Sequence, residues 1–170
     1  RLATHDALTG LHNRRHCDER LAECIAVGQR TGRAFALLVL DADHFKQIND
    51  RFGHATGDAV LQQLAHVLRT HTRGTDLLAR YGGEEFVVVL PENPTRDEAM
   101  AVAEKIRAAV ESATFAEAGR VTMSIGLCIW EPTDRSVAGL VHRADLALYQ
   151  AKHLGRNRVE VAPAGLVAPT

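Results

Sequence analysis

Aromatic residues are scarce in this chain, 5% of 170 residues with one tryptophan, and cysteine (three), methionine (two) and proline (five) are scarcer still. Cys17, Cys24 and Cys128 are an odd number with no CxxC spacing, which argues against a disulfide framework or a thiolate zinc site. A reducing compartment, the cytoplasm, is therefore expected. No apolar run approaches the ~20 residues of a membrane-spanning helix, although a longer parent protein could still be membrane-anchored. Neither sign of charge dominates. Twenty Lys and Arg against twenty-one Asp and Glu leave −1, so no global field gathers nucleic acid and any anionic ligand must be held by local groups. Repeats and low-complexity tracts are absent too, and at ~100–200 residues per domain the length predicts one globular unit. That unit is expected to cover residues 1–161, with 162–170, which carry two prolines and no periodicity, as a disordered tail. The opening Arg1-Leu2-Ala3 has no methionine or signal pattern, so a domain cut from a longer protein with an upstream sensory or regulatory region is expected.

What is present is an ordinary globular balance, 46% hydrophobic and 24% charged. Cys17, Leu21, Cys24, Ile25 and Gly28 recur at helical spacing and predict an amphipathic helix from Arg14 to about Gln29. Ala34 to Leu40 is apolar on both faces, as a central strand requires, and it runs into Asp41-Ala42-Asp43. A second helix is predicted from about Gly57 to Thr70. Leu77–Tyr81 and Phe86–Leu90 flank Gly82-Gly83-Glu84-Glu85 as a hairpin. A third helix through Ala99 and Val110, a strand from Val121 to Trp130, a fourth helix from Val137 to Leu154 and a short edge strand Val159–Val161 complete the order. The predicted fold is α+β, a sandwich of helices around a mixed, mainly antiparallel sheet.

The chemistry concentrates on carboxylates. Asp41 and Asp43, two apart on an extended segment, share a side, and Glu84-Glu85 follow two glycines at a hairpin tip. Hard oxygens from two loops suit Mg²⁺ or Mn²⁺; alone, each pair could equally be solvated acids at a strand end. His12 and His16 are spaced for zinc but lack an acidic or cysteine partner, so they read as ordinary surface or turn histidines.

Five motifs in order then carry a resemblance. They are Asp6-Ala7-Leu8-Thr9-Gly10-Leu11-His12-Asn13-Arg14-Arg15; Asp41-Ala42-Asp43-His44-Phe45-Lys46-Gln47-Ile48-Asn49-Asp50 with Phe52-Gly53-His54 and Gly57-Asp58; Arg80-Tyr81-Gly82-Gly83-Glu84-Glu85-Phe86; Ser124-Ile125-Gly126; and Ala144-Asp145 through Tyr149, Ala151-Lys152 and Gly155-Arg156-Asn157. From Asp6 to Val159 the chain resembles the GGDEF family of diguanylate cyclases. The resemblance implies a ferredoxin-like, nucleotidyl-cyclase-like βαββαβ core. It also implies Mg²⁺-dependent condensation of two GTP into cyclic di-GMP, a bacterial second messenger, with release of two pyrophosphates, between two facing subunits of a homodimer.

Residue by residue, the resemblance implies that Asp41, the Ala42 carbonyl and Glu84 hold two divalent ions per site. Glu84 is also the proton acceptor, and Glu85 orients the attacking hydroxyl. Lys46, Lys152, Arg156 and the backbone amides of His44 and Phe45 meet the phosphates, and Gly82 and Gly83 let a nucleotide lie against the hairpin. Asn49 and Asp58 read guanine, whose N1–H and N2–H suit a carboxylate; as plain structure they would be a turn residue and a helix cap. Leu8 and Leu61 wall the base or belong to the core, and His54 braces the site. Arg73-Gly74-Thr75-Asp76 matches the family's RxxD inhibitory site for the product, completed by Lys105 or Arg107. The rival reading is a non-catalytic receptor for cyclic di-GMP or GTP, which would be expected to have lost Glu84, Asp41 or Lys46. A cyclase for another nucleotide is opposed by Asp58.

Overall fold

The computed structural model describes residues 3–165. Its elements run α1 (Arg14–Thr31), β1 (Ala36–Ala42), α2 (Phe45–Phe52), α3 (His54–Thr70), β2 (Leu77–Arg80), β3 (Glu85–Leu90), α4 (Arg96–Ser112), β4 (Met123–Ile129), α5 (Val137–His153) and β5 (Val159–Val161). The sheet order is β2-β3-β1-β4-β5, so the most apolar strand is central and all seven of its residues are buried. Both of its neighbours pair antiparallel with it, and only β4 and β5 run parallel. The mixed, mainly antiparallel α+β sandwich is therefore as expected.

Alternate residues of β1 feed two cores. Leu38 and Leu40 pack with Val60, Leu64 and Ile106 of α3 and α4; Leu37 and Val39 pack with Leu21, Leu140 and Leu148 of α1 and α5. Burial of each such side chain contributes about 1.5–3 kcal/mol relative to exposure, and this fixes the central strand between two helical layers. Local chemistry sets the helix ends: Asn13 caps α1 by accepting from the His16 amide, and Thr95 and Glu98 form a reciprocal capping box on α4.

Three expectations need correction. The central strand lies two residues later than predicted, so Asp41 is inside it, opposite Glu85 on one side and Ser124 on the other. The stretch after it contains a helix the sequence reading omitted: in α2 only Phe45 is buried, which gave a weak apolar signal, although Phe45, Ile48 and Phe52 do share a face. The tail expected to loosen at Ala162 is tied as far as Gly165. The Ala162 amide donates to the Leu127 carbonyl at 2.7 Å, and the Gly165 amide donates to the Glu131 carboxylate at 2.9 Å. The remainder of that predicted tail, 166–170, lies outside the described residues. No helix among the described residues is long and apolar enough to cross a membrane.

Candidate active site

The register of the sheet assembles the acids. Antiparallel pairing sets Glu85 opposite Asp41, and the Ala42 amide donates to the Glu84 carbonyl at 3.3 Å, so the β2–β3 turn closes over the end of β1. From the other face, α5 delivers Lys152, whose ammonium forms an ion pair with Asp41. This reach depends on Gly126 of β4: a Cβ there would sit 2.3 Å from the Ala144 carbonyl oxygen and 2.5 Å from the Leu148 amide nitrogen. Only glycine lets the helix backbone come so close.

Four carboxylates crowd one lysine. Burial raises the pKa of Asp41 and the Lys152 bond opposes the rise. Glu84 is raised by burial and then by Asp41; Glu85 is raised by burial and then by Asp145 and Asp41. Asp145 of α5, itself raised by burial, joins them, and position in the sequence gives no sign of its approach to Glu85. Asp43 does not join them. Its oxygens accept from Thr122 Oγ1 at 2.7 Å, Ser124 Oγ at 2.6 Å and the Asn157 amide at 3.0 Å, so Asp43 anchors the loop that carries Arg156.

The acidic group suits a hard divalent cation, because its donors are all oxygen and their mutual repulsion favours a countercharge. Among the described residues no three Asp, Glu, His or Cys side chains form a ready-made cage. Mg²⁺ commonly needs no such cage, taking one or two carboxylates and completing its shell with water and phosphate.

At the start of α2, His44 has φ 56° and precedes a first turn with no side-chain cap. A left-handed residue leading into a helix makes a nest of amide donors. Lys46 is exposed on that turn, and Arg156 is exposed beyond α5 with φ 64°. Gly82 and Gly83 do not have positive φ, and nothing lies within 4 Å of where a Gly83 Cβ would be. Their lack of side chains leaves open space above the turn.

Among the described glycines, the closest approach is between α2 and α3. A Cβ on Gly57 would fall 1.9 Å from Asn49 Oδ1, so glycine is what admits that amide. Asn49 lies in α2 and Asp58 lies inside α3, whose cap position is Gly53; the turn and cap roles weighed for them are corrected accordingly. Asp58 and His54 are exposed on the same helix, and no contact shows His54 bracing a neighbour. Leu61 is 2% exposed and part of the core, whereas Leu8 is half-buried, with its carbonyl accepting from Gln62 Nε2 at 3.2 Å.

The RxxD segment precedes β2 at some remove from the acids. The Arg73 amide donates to Asp76 Oδ2 at 2.8 Å, and both residues line a cleft of about 290 Å³ with Leu90, Glu92, Glu98 and Lys105. Of the two candidate partners, Lys105 lines this cleft. Arg107 instead pairs with Glu104 and donates to Asn157 Oδ1 at 2.9 Å. It supports the Arg156 loop, a role that only the distant contact reveals. His12 stacks between His5 and His16, with ring centroids 4.5 and 4.2 Å away.

An antiparallel-centred α+β sheet that ends in acids, with cations on the adjoining loop and last helix, is the architecture of a nucleotidyl-cyclase-like domain. The family profile described as "Diguanylate cyclase, GGDEF domain" matches residues 3–158. Diguanylate cyclase DgcP of Pseudomonas aeruginosa is 45% identical over 94% of this chain and 24% of its own length. Response regulator PleD of Caulobacter vibrioides is 44% identical over 93% of this chain and 36% of its own length. The chain thus spans only a fraction of these relatives. Among solved structures, the GGDEF domain of DgcB from Caulobacter crescentus, in complex with c-di-GMP, superposes with TM-score 0.90 at 38% identity, covering 96% of each chain. Diguanylate cyclase SiaD of Pseudomonas aeruginosa, in complex with its activator SiaC, superposes with TM-score 0.88 at 39% identity, over 94% of this chain and 62% of that one. The chain belongs to the GGDEF family of diguanylate cyclases.

Proposed function

We propose that this domain condenses two GTP into cyclic di-GMP. The carrying observation is the convergence of Asp41, at the end of the central strand, and Glu84, on the β2–β3 turn, on a half-buried site where both carboxylates are raised by burial and Lys152 is ion-paired with Asp41. Asp41, the Ala42 carbonyl and Glu84 are the residues to hold Mg²⁺ or Mn²⁺, two ions per site. Such ions, when bound, neutralise triphosphate charge and acidify a 3′-hydroxyl.

The chain's own groups do the rest. Asn49 and Asp58 pair with guanine, Leu8 and Leu61 wall the base, and His54 flanks it. The amides of His44 and Phe45, with Lys46, Lys152 and Arg156, hold the phosphates and stabilise charge on the transferring group. Gly82 and Gly83 leave room for the nucleotide above the turn. Glu85 orients the 3′-hydroxyl, and Glu84, whose proton affinity is raised, accepts its proton. The 3′-oxygen of one GTP attacks the α-phosphorus of the other, the bond to the β-phosphate breaks and pyrophosphate leaves. A second, symmetric transfer closes the ring, so two subunits face each other as a homodimer.

Arg73 and Asp76, with Lys105, form the site at which product inhibits. The domain works in the cytoplasm beneath an upstream regulatory region. A receptor that only binds nucleotide is disfavoured by the retention of Asp41, Glu84 and Lys46. Incubation with GTP and Mg²⁺, analysed for cyclic di-GMP and pyrophosphate, tests the reading; binding of GTP without product would overturn it in favour of the receptor.

A further inference from the structure

His5, His12 and His16 take no part in the proposed reaction, yet they stand where the arm of residues 3–13 joins the sheet. The His12 amide donates to the Leu78 carbonyl at 3.1 Å, and the His12 carbonyl accepts from the Arg80 amide at 2.9 Å, so the arm pairs with the outer edge of β2. The Asn13 amide donates back to the Thr4 carbonyl at 2.9 Å. Asp6, on the same arm, grips Arg80, which in turn holds the Gly83 carbonyl. Whatever loosens His12 therefore loosens the arm and, through it, the turn that carries Glu84.

The surroundings of His12 suit a neutral ring. It lies between the rings of His5 and His16, tilted from them by 32° and 24°. Its Nδ1 is buried and has no hydrogen-bond partner among the described residues. A neutral imidazole can leave that nitrogen as a bare lone pair, whereas an imidazolium carries hydrogen on both nitrogens and would bury an unpaired N–H.

Nearby charge is mostly positive. Arg20 faces the ring from α1, as does His16, with His5 on the arm. A second cleft of about 290 Å³ opens beside it, lined by Arg69 of α3 and by Arg73, and its one acid among the described residues is Asp76. Asp76 already accepts from the Arg73 amide, and Asp6 is taken up by Thr9 and Arg80. Burial, then His16 and His5, hold the His12 pKa below the ordinary histidine value, and only the Thr4 backbone acts the other way.

We propose that the stack of His5, His12 and His16 is a pH-sensitive clasp: closed while His12 is neutral, it releases the arm from β2 when His12 takes a proton, and the catalytic turn slackens through Asp6, Arg80 and Gly83. The effect on turnover rests on the proposed reaction; the release does not. A histidine that charges more readily once freed contributes stability that is full above about pH 6.5 and is lost as pH falls through its lower value in the closed clasp. At about pH 5.5, one unit below the ordinary value, release is favoured up to about tenfold over neutral pH.

Amide hydrogen exchange at about pH 7.5 and about pH 5.5, corrected for the intrinsic pH dependence of exchange, tests this on wild type and on His12→Phe, which keeps a ring in the stack and cannot charge. In wild type the protection of the His12 and Arg80 amides is expected to fall up to about tenfold in acid while that of Leu64 in α3 holds; in the variant all three should hold. Unchanged protection in wild type, or an equal fall in the variant, overturns the clasp. Proton NMR titration of the wild-type His12 ring needs no variant, and a midpoint at or above about 6.5 overturns it as well. Cyclic di-GMP formation is measured alongside as the ratio of variant to wild-type turnover, in which titration of the shared acids cancels. This ratio is expected to rise in acid; a constant ratio with falling wild-type protection overturns the link to the catalytic turn. If neither protein makes cyclic di-GMP, the reaction falls, and exchange alone decides the clasp.

Discussion

Lys152, near the end of the last helix, is ion-paired with Asp41, at the end of the central strand. The pair makes Lys152 the stand-in cation of an acidic site. With Asp41, Glu84, Glu85 and Asp145 around it, one ammonium cannot neutralise the group, and burial raises all four acids despite it. Arrival of a divalent ion and a triphosphate would free Lys152 from Asp41 to meet phosphate.

This charge imbalance predicts a pH dependence. A carboxylate whose pKa is raised on folding contributes stability that is full below its unfolded value and is lost as pH rises through its folded value. Glu84→Gln removes one such group. Relative to wild type the variant is therefore expected to gain melting temperature as pH rises from the ordinary carboxylate range through the raised folded pKa of Glu84. Added Mg²⁺ should stabilise wild type more than the variant, because the ion binds only the folded site. Parallel melting profiles with and without Mg²⁺ would contradict the charge assignment.

The same substitution tests chemistry. If Glu84 has both proposed roles, proton acceptor and ion ligand, its loss should lower kcat about a hundred- to ten-thousand-fold, with the circular dichroism spectrum intact. Retention of a tenth or more of wild-type turnover would move the proton-accepting role elsewhere, with Glu85 the next candidate.

Two glycines separate stability from recognition. In Gly126→Ala the new methyl meets backbone of α5, which cannot yield without moving the helix, so a loss of about 1–3 kcal/mol and reduced turnover are expected together. In Gly57→Ala it meets the end of the Asn49 side chain, which can swing away. Alanine's better helix propensity, about 1 kcal/mol, offsets the crowding, so melting should shift little while KM for GTP rises about tenfold. If both variants lose stability equally, Asn49 is a structural residue.

Much of this arrangement was legible in the residues. The apolar run ending in Asp41, the glycines before Glu84 and the apolar stripe of α5 fixed the sheet, the turn and the last helix, because each is a local pattern of period two or 3.6. Asp43 shows the limit: its spacing from Asp41 implied shared work, yet its neighbours Thr122 and Ser124 occupy it, and only folding brings them there. Asp58 preceded an apolar stripe and so resembled a cap, but the helix begins earlier, at a glycine, because Thr56 and Gly57 are buried against its neighbours. Arg107 passed for an inhibitory-site cation because position along α4 does not reveal which face meets Asn157.

If the cleft at Arg73 is the product site proposed above, its lining predicts weak feedback. Arg73 shares it with Lys105, but Glu92 and Glu98 line it as well, and Arg73 already helps to hold Glu98 ionised after the Thr95 bonds. Those acids oppose the phosphates of a bound product. Arg73→Ala should raise the cyclic di-GMP concentration for half-inhibition about tenfold, whereas Glu98→Gln should lower it. Initial rates titrated with cyclic di-GMP decide this, and superimposable curves for wild type and Arg73→Ala would leave Arg73 as a surface residue.

Asp6 governs the catalytic turn from the start of the domain. Its carboxylate accepts from the Thr9 amide at 2.9 Å and the Thr9 hydroxyl at 2.8 Å, and it pairs with Arg80 at 3.2 Å. Arg80 in turn gives two donors, at 3.1 and 2.8 Å, to the Gly83 carbonyl. Burial alone would raise the Asp6 pKa; the Thr9 bonds and Arg80 outweigh it and hold it below the usual range, so its contribution is present at neutral pH and is lost as pH falls through its folded value. Asp6→Asn keeps the shape and a Thr9 contact but releases the Arg80 fork, which then holds Gly83, and with it Glu84 and Glu85, less firmly. The expected result is a stability loss of about 1–2 kcal/mol at neutral pH that shrinks in acid, with kcat falling about tenfold and KM for GTP nearly constant. Arg80→Lys, which retains charge without the fork, should reproduce the kcat loss. A variant that melts lower yet turns over at the wild-type rate would mean that the turn holds its acids without help from Asp6.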